Sequence, residues 1–379
     1  MDRAKFSTTD ARFMNVALRL ARRGCGRTSP NPMVGAVLVK DSRIIGQGWH
    51  KKAGEPHAEI NAIASAQRRG NSPIGATLYL TLEPCSTTGR TPPCTKAIID
   101  AGIRRVLFAC LDPNPAHRGR AARLLRAAGI NVASGLCEAE GLRLIEAFAH
   151  WIQTGRPFVH LKAAMTLDGK IATASGESKW ITGARARAAS MKMRLEADAI
   201  LVGVGTVIAD DPALTHRVGT RRRTKGKELR RIILDSTART PASAKVVSDA
   251  QARLTMIVVT RSAPARRVAA LASKVRVVVA PALEGKVDGR WLLEALGREA
   301  VVQLLVEGGS EVHASFLRQG LAHRVSCFYA PMVLGGRDAK KAVGGTNLML
   351  PRMLRNVEWR RVGDDLLMSA RLDEAPAAF

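Results

Sequence analysis

The chain has 379 residues, 46% of them hydrophobic and 24% charged, a globular composition with length enough for two cores rather than one. Its formal net charge of +27 invites polyanions. The excess is spread over both halves, however, and its one dense run, Arg221-Arg222-Arg223-Thr224-Lys225-Gly226-Lys227, reads as a solvated loop, so no dedicated nucleic-acid partner is expected. No apolar run reaches the roughly 20 residues that span a bilayer, and charges interrupt the amphipathic N-terminus, so the expectation is a cytoplasmic protein without a signal peptide or membrane partner.

In chain order, helix and strand signals alternate. A helix over about 9–23 sets Phe13, Val16, Ala17, Leu20 and Ala21 on one face. A strand over 34–39 turns into Ile44-Ile45, and a helix starting near His57 is expected to point Ile60, Ile63 and Ala64 inward. A strand over 77–81 enters the Glu83-Pro84-Cys85 turn; Pro92-Pro93 then opens a helix that stops at Gly102. A strand over 106–109, a turn at Asp112-Pro113-Asn114-Pro115, a helix near 119–128, a short strand over 130–133 and a helix near 138–153 follow. Thr154-Gly155-Arg156-Pro157 is the expected boundary, dividing residues 1–153 from 154–379. Beyond it, strands over 158–164, 199–202, 231–234, 255–259, 275–279 and 301–306 have helical stretches between most of them, a second α/β domain. Such alternation predicts mostly parallel sheets covered by helices.

Six cysteines in a chain of this kind predict no disulfide framework. Cys110 and Cys327 end or sit in apolar strand-like runs and read as core fillers. Cys85 and Cys94 differ, because prolines surround both in a turn-rich segment. A zinc hydrolase of the deaminase kind needs three protein ligands, an open position for water, and a carboxylate beside the metal but not on it. His57-Ala58-Glu59, then Pro84-Cys85 and Cys94, supply that set in that order. The common nucleoside-deaminase signature has only two residues between its cysteines, whereas eight separate Cys85 from Cys94. The alternatives at this point are a nucleic-acid base deaminase and a non-catalytic, zinc-stapled binding protein.

Several runs resemble the bifunctional riboflavin biosynthesis deaminase/reductase family. In the first half they are Pro30-Asn31-Pro32-Met33-Val34-Gly35, Gly54-Glu55-Pro56-His57-Ala58-Glu59, Thr81-Leu82-Glu83-Pro84-Cys85-Ser86, Gly89-Arg90-Thr91-Pro92-Pro93-Cys94 and Asp112-Pro113-Asn114-Pro115. The resemblance implies a cytidine-deaminase-like three-layer α/β/α domain, with His57, Cys85 and Cys94 as zinc ligands, Glu59 as proton shuttle and Asn31 on the pyrimidine. Thr87 departs from the family pattern, which has His there.

The second half lacks a Gly-x-Gly-x-x-Gly fingerprint, but Val306-Glu307-Gly308-Gly309-Ser310 lies between an apolar strand and a helix, a place where backbone N–H groups can approach phosphate. Leu161-Lys162-Ala163-Ala164, Leu167-Asp168-Gly169-Lys170, Trp180-Ile181-Thr182 and Ala209-Asp210-Asp211-Pro212 resemble the same family. That implies a dihydrofolate-reductase-like α/β domain using NADPH. Ala164, Trp180, Thr206, Asp210, Ser236 and Gly309 would contact NADPH, and Ser178, Arg194, Leu214, Arg217 and Glu307 the sugar phosphate. Met191 is a second departure, where relatives often carry a polar or imidazole side chain. The implied substrate is a small molecule, a ribosylated pyrimidine 5′-phosphate, and a homo-oligomer (dimer or tetramer) is expected. Residues 337–379 carry no motif of use.

Overall fold

The computed structural model describes residues 6–87, 92–216, 228–345 and 351–372. The chain divides into two compact units, residues 1–155 and 156–379.

In the first unit α1 (Thr8–Ala21) starts at a capping box in which the Ser7 hydroxyl and Asp10 carboxylate exchange bonds with each other's backbone N–H. Then come β1 (Gly35–Lys40), β2 (Arg43–Trp49), α2 (Ala58–Arg68), β3 (Thr77–Leu80), α3 (Cys94–Asp100), β4 (Arg105–Phe108), α4 (Arg120–Ala127), β5 (Asn131–Ser134), α5 (Glu138–Leu144) and α6 (Glu146–Thr154). The sheet order is β2-β1-β3-β4-β5; the pairs made by β1 are antiparallel and the rest parallel, so the sheet is more mixed than the alternation suggests. Strand alternation separates two cores. Val37, Val39, Tyr79 and Leu107 face α1, while Ala36, Leu38, Leu78, Leu80, Val106 and Phe108 face α2, α3 and α4. The single helix expected over 138–153 breaks into α5 and α6 at Ile145.

The face that α2 buries matches the expected one only at Ile63, which lies in the core. Ile60 and Ala64 are half-exposed, whereas Ala58, Ala62 and Ala66 are fully buried. The cause lies in β2: a Cβ on Gly48 would sit 2.4 Å from the Ala58 carbonyl oxygen, and one on Gly46 would sit 2.4 Å from that of Ala62. Glycine against alanine brings helix and strand together more closely than branched side chains permit.

The second unit runs β6 (Phe158–Thr166), β7 (Lys170–Ala172), α7 (Ala184–Glu196), β8 (Ala199–Gly203), α8 (Val204–Asp210), β9 (Arg230–Leu234), α9 (Lys245–Ser248), β10 (Thr255–Thr260), α10 (Ala265–Ala272), β11 (Arg276–Ala280), β12 (Ala282–Leu283), β13 (Lys286–Val287), α11 (Gly289–Arg298), β14 (Gln303–Val306), α12 (Ser310–Arg318), β15 (Arg324–Ala330), β16 (Lys340–Lys341), β17 (Leu354–Val362) and β18 (Asp365–Leu372). Nine strands form one sheet in the order β11-β10-β9-β8-β14-β6-β15-β18-β17, parallel from β11 to β15 and antiparallel over the last two. Apolar clusters on both faces make it a second, separate core. The segment after 337, which the sequence leaves blank, supplies β17 and β18 to this sheet and pairs β16 with β7. Cys110 and Cys327 are buried. Among the described residues no helix is long and apolar enough to cross a membrane.

Candidate functional site

His57 is the N-cap of α2 and Glu59 lies in that helix's first turn. Cys94 begins α3 behind Pro93, and Cys85 lies beyond the end of β3. Two loops and two helix starts therefore converge. His57 Nδ1 is 3.3 Å from Cys94 Sγ and 3.6 Å from Cys85 Sγ, and the three ligand atoms lie within 4.8 Å of one another. Ligands at zinc–nitrogen and zinc–sulfur bond lengths on a tetrahedron stand about 3.6 Å apart, so the set fits a zinc ion with one position open. The Cys94 backbone N–H donates to Cys85 Sγ over 3.2 Å. A bond from the Cys94 thiol, and the neighbouring His57, pull the Cys85 thiol down, while that bond and burial push Cys94 up. Cys85 is thereby primed to enter as thiolate.

Glu59 is 3% exposed, and its Oε2 has no hydrogen-bond partner. Burial raises its carboxyl above the usual range, and His57 opposes that rise. A buried acid beside three metal-type ligands, with a free oxygen, suits proton transfer.

Asn31, half-buried, places its amide nitrogen 3.2 Å from His50 Nε2. His50 is buried, with Nδ1 3.3 Å from the Pro56 carbonyl oxygen and its ring edge-on to that of His57. A nitrogen facing a carbonyl carries the proton, so Nε2 accepts from the Asn31 NH2 and leaves Asn31 Oδ1 as the free acceptor. His50 escaped the sequence reading, because a lone His after a Gly-rich strand gives no signal by itself. Glu83 did too: buried ahead of Pro84, its carboxylate accepts from the N–H groups of Asp112, Gly119 and Ala122, tying the 112–119 loop to the cysteine turn. Thr87 Oγ1 lies 3.5 Å from His117 Nδ1 of that loop.

In the second unit a cavity of about 530 Å³ opens along the ends of β14, β8 and β9. Thr206, Asp210, Ser236, Gly309 and Ser178 all line it. Gly309 N–H donates to Thr206 Oγ1 over 3.2 Å, and Ser178 donates to Asp210 over 3.0 Å. The other described candidates lie off the cavity lining. Trp180 is 69% exposed with the Arg187 guanidinium 4.5 Å above its ring, and Ala164 is half-buried on β6. Leu214 is buried at φ 48°, and Arg217 lies outside the described residues. Arg194 and Glu307 form a two-pronged ion pair, 2.7 and 2.9 Å, with Lys162 Nζ 3.8 Å from the same carboxylate. Burial would raise the Glu307 carboxyl, but the charges of Arg194 and Lys162 outweigh it and bring it down to about 2. Lys162 was quoted in a motif without being assigned a place; its proximity to Glu307 depends on β6 and β14 being neighbours. Met191 is half-buried on α7, one turn before Arg194.

Known proteins place both halves. The family described as the cytidine and deoxycytidylate deaminase zinc-binding region matches residues 7–110, and the RibD C-terminal domain matches residues 157–368. The riboflavin biosynthesis protein RibD of Actinobacillus pleuropneumoniae is 42% identical over 95% of this chain and 94% of its own length; that of Escherichia coli is 37% identical over 95% and 98%. The structure of Acinetobacter baumannii RibD is 36% identical with a TM-score of 0.82, covering 96% of this chain and 99% of that one. The same figures hold for a diaminohydroxyphosphoribosylaminopyrimidine deaminase/5-amino-6-(5-phosphoribosylamino)uracil reductase from Thermotoga maritima. The chain thus belongs to the RibD family of riboflavin biosynthesis, a bifunctional enzyme joining a zinc-dependent deaminase to an NADPH-dependent reductase.

Proposed function

We propose that residues 1–153 deaminate 2,5-diamino-6-ribosylamino-4(3H)-pyrimidinone 5′-phosphate and that residues 154–379 then reduce its ribosyl group to ribityl, giving 5-amino-6-(5-phospho-ribitylamino)uracil. The observation that carries the first step is the buried Glu59 carboxyl, whose Oε2 has no hydrogen-bond partner, beside His57, Cys85 and Cys94. These three residues hold zinc, which when bound supplies the Lewis acidity that makes water nucleophilic at neutral pH. Asn31 Oδ1, aimed by His50, accepts from the pyrimidine. Glu59 takes a proton from water and passes protons to the ring nitrogen and the leaving amine; the ring carbon loses its bond to nitrogen, gains one to oxygen, and ammonia departs.

In the second unit Thr206, Asp210, Ser236 and Gly309 hold NADPH, with Ala164 and Trp180 at its nicotinamide end. NADPH supplies the hydride when bound. Ser178, Arg194, Leu214, Arg217 and Glu307 position the sugar phosphate, and the Lys162 ammonium, held beside Glu307, stabilises negative charge as the sugar opens. A homo-oligomer is part of the same proposal, supported by the exposed Val357 and Trp359 of β17 and Leu366 of β18 along one sheet edge. So is a cytoplasmic setting, where Cys85 and Cys94 stay reduced.

Glu59→Gln tests the assignment. Bound zinc should stay at one ion per chain, deamination should fall about 100- to 10,000-fold, and reduction of the deaminated substrate should be unchanged. Deamination at the wild-type rate would remove Glu59 from the mechanism.

A further inference from the structure

The 112–119 loop is fastened to the cysteine turn of the first unit. The Glu83 carboxylate, two residues before Cys85, accepts from Asp112 N–H (3.1 Å), Gly119 N–H (2.8 Å) and Ala122 N–H (3.3 Å). Both ends of the loop are thus tied to the segment that carries a metal ligand. Within it, the N–H groups of His117 and Arg118 both donate to the Asn114 carbonyl over 3.0 Å, and the Gln153 amide donates to the Pro113 carbonyl over 3.3 Å. His117 therefore has a fixed place.

That place is beside Thr87. The His117 Nδ1 stands 3.5 Å from Thr87 Oγ1, and Thr87 follows Cys85 by two residues, within about 7 Å along the chain. Among the described residues the hydroxyl is the only hydrogen-bond partner of the half-buried His117 ring. When the hydroxyl donates to Nδ1, the proton of the neutral imidazole sits on Nε2, which is left as a free donor. The exposed Arg118 and Arg120 next to it have no ion pair among the described residues either. The loop's one acid is no competitor for them. Burial raises the Asp112 carboxyl, Asn114 N–H and His117 pull it down, and Glu83 and Cys85 add to the rise, so His117 and Cys85 both lie within its electrostatic reach.

The pyrimidine ring has its partners in Asn31, Glu59 and the metal. The 5′-phosphate is a different matter, because two cysteine sulfurs and a buried acid repel it and offer it no compensating bond. It belongs at the rim, where a free N–H and two unpaired guanidinium groups carry the opposite polarity. The family pattern has His at 87, where this chain has Thr, and an imidazole reaches the same spot from 30 residues further on. We propose that His117, oriented by Thr87, donates from Nε2 to the 5′-phosphate of the deaminase substrate and so supplies, from the 112–119 loop, the imidazole that the family pattern places at 87.

This inference rests on the deamination reading above, and steady-state kinetics on the full chain separate the two. The substrates are the ribosylaminopyrimidine 5′-phosphate and its dephosphorylated form. The proteins are wild type, His117→Ala, His117→Gln and the double variant His117→Ala with Thr87→His.

His117→Ala should raise KM for the phosphorylated substrate about 10- to 100-fold, leave kcat within about twofold, and leave the dephosphorylated substrate unaffected. His117→Gln keeps a donor and should fall between. The added Thr87→His should recover most of the lost affinity, an outcome that a purely structural role for His117 does not produce. Zinc at one ion per chain and unchanged reduction report that each variant is folded. Equal loss on both substrates, no loss, a loss confined to kcat, or no recovery in the double variant would each overturn the role given to His117. Wild type that fails to deaminate the phosphorylated substrate would instead overturn the deamination reading.

Discussion

Glu307 has its charge fixed by neighbours that come from distant parts of the chain. Arg194 on α7 and Lys162 on β6 hold its carboxyl down to about 2 against the upward push of burial. The folded-state pKa is thus below the unfolded one, so the pair's contribution is complete above about pH 5 and drains away as the pH falls toward 2. Glu307→Gln should flatten the thermal stability of the second unit across that window. At neutral pH it should cost about 3–5 kcal/mol, because Arg194 is left buried with half its partners. Identical pH slopes in variant and wild type, measured by circular dichroism melts, would show that Glu307 does not carry this linkage. Every residue in this cluster is present in the sequence, but nothing local in it says that α7, β6 and β14 meet.

At the scale of elements, α2 shows how packing overrides a hydrophobic pattern. The isoleucine-based face predicts Ile60, Ile63 and Ala64 inward; Ile63 is buried, yet the strand beneath is glycine at 46 and 48, and the helix meets it with Ala58, Ala62 and Ala66 in place of Ile60 and Ala64. Because His57 and Glu59 start that helix, its seating sets where the ligand and the acid stand. Gly48→Ala puts a methyl group 2.4 Å from the Ala58 oxygen and the Ala62 nitrogen, so α2 must lift. A loss of about 1–3 kcal/mol from the first unit is expected, together with a fall in deamination and no change in reduction. A crystal structure of the variant with α2 in place, or full deaminase activity, would refute this account. The order of strands and helices was legible because Pro, Gly and β-branched runs punctuate it. The alanine seam of α2 and the break at Ile145 were not, since both depend on what lies opposite.

For the whole molecule, two units with separate cores imply separable responses. Stripping zinc from the full chain with a chelator should abolish deamination and lower only the melting transition of the first unit, because the metal joins α2, α3 and the cysteine turn. NADPH should raise only the other transition. Scanning calorimetry with each additive checks this, and a single transition that moves with both would contradict it. The sequence by itself determined the chemistry on offer: two α/β domains, a His-x-Glu with two proline-framed cysteines, and a glycine turn after a strand, because those signals are short-range and carried by residue type. Only the tertiary structure decided which groups share a site. It joined His50 to Asn31, Glu83 to the 112–119 loop and Lys162 to Glu307, and it brought the segment after 337 back onto the sheet. It also refined the eight-residue interval between the cysteines, the feature that set this chain apart from nucleoside deaminases, by showing Cys85 and Cys94 each within 3.6 Å of His57 Nδ1. Contacts between residues far apart in the chain arise from strand order and helix seating, and one-dimensional patterns do not encode them.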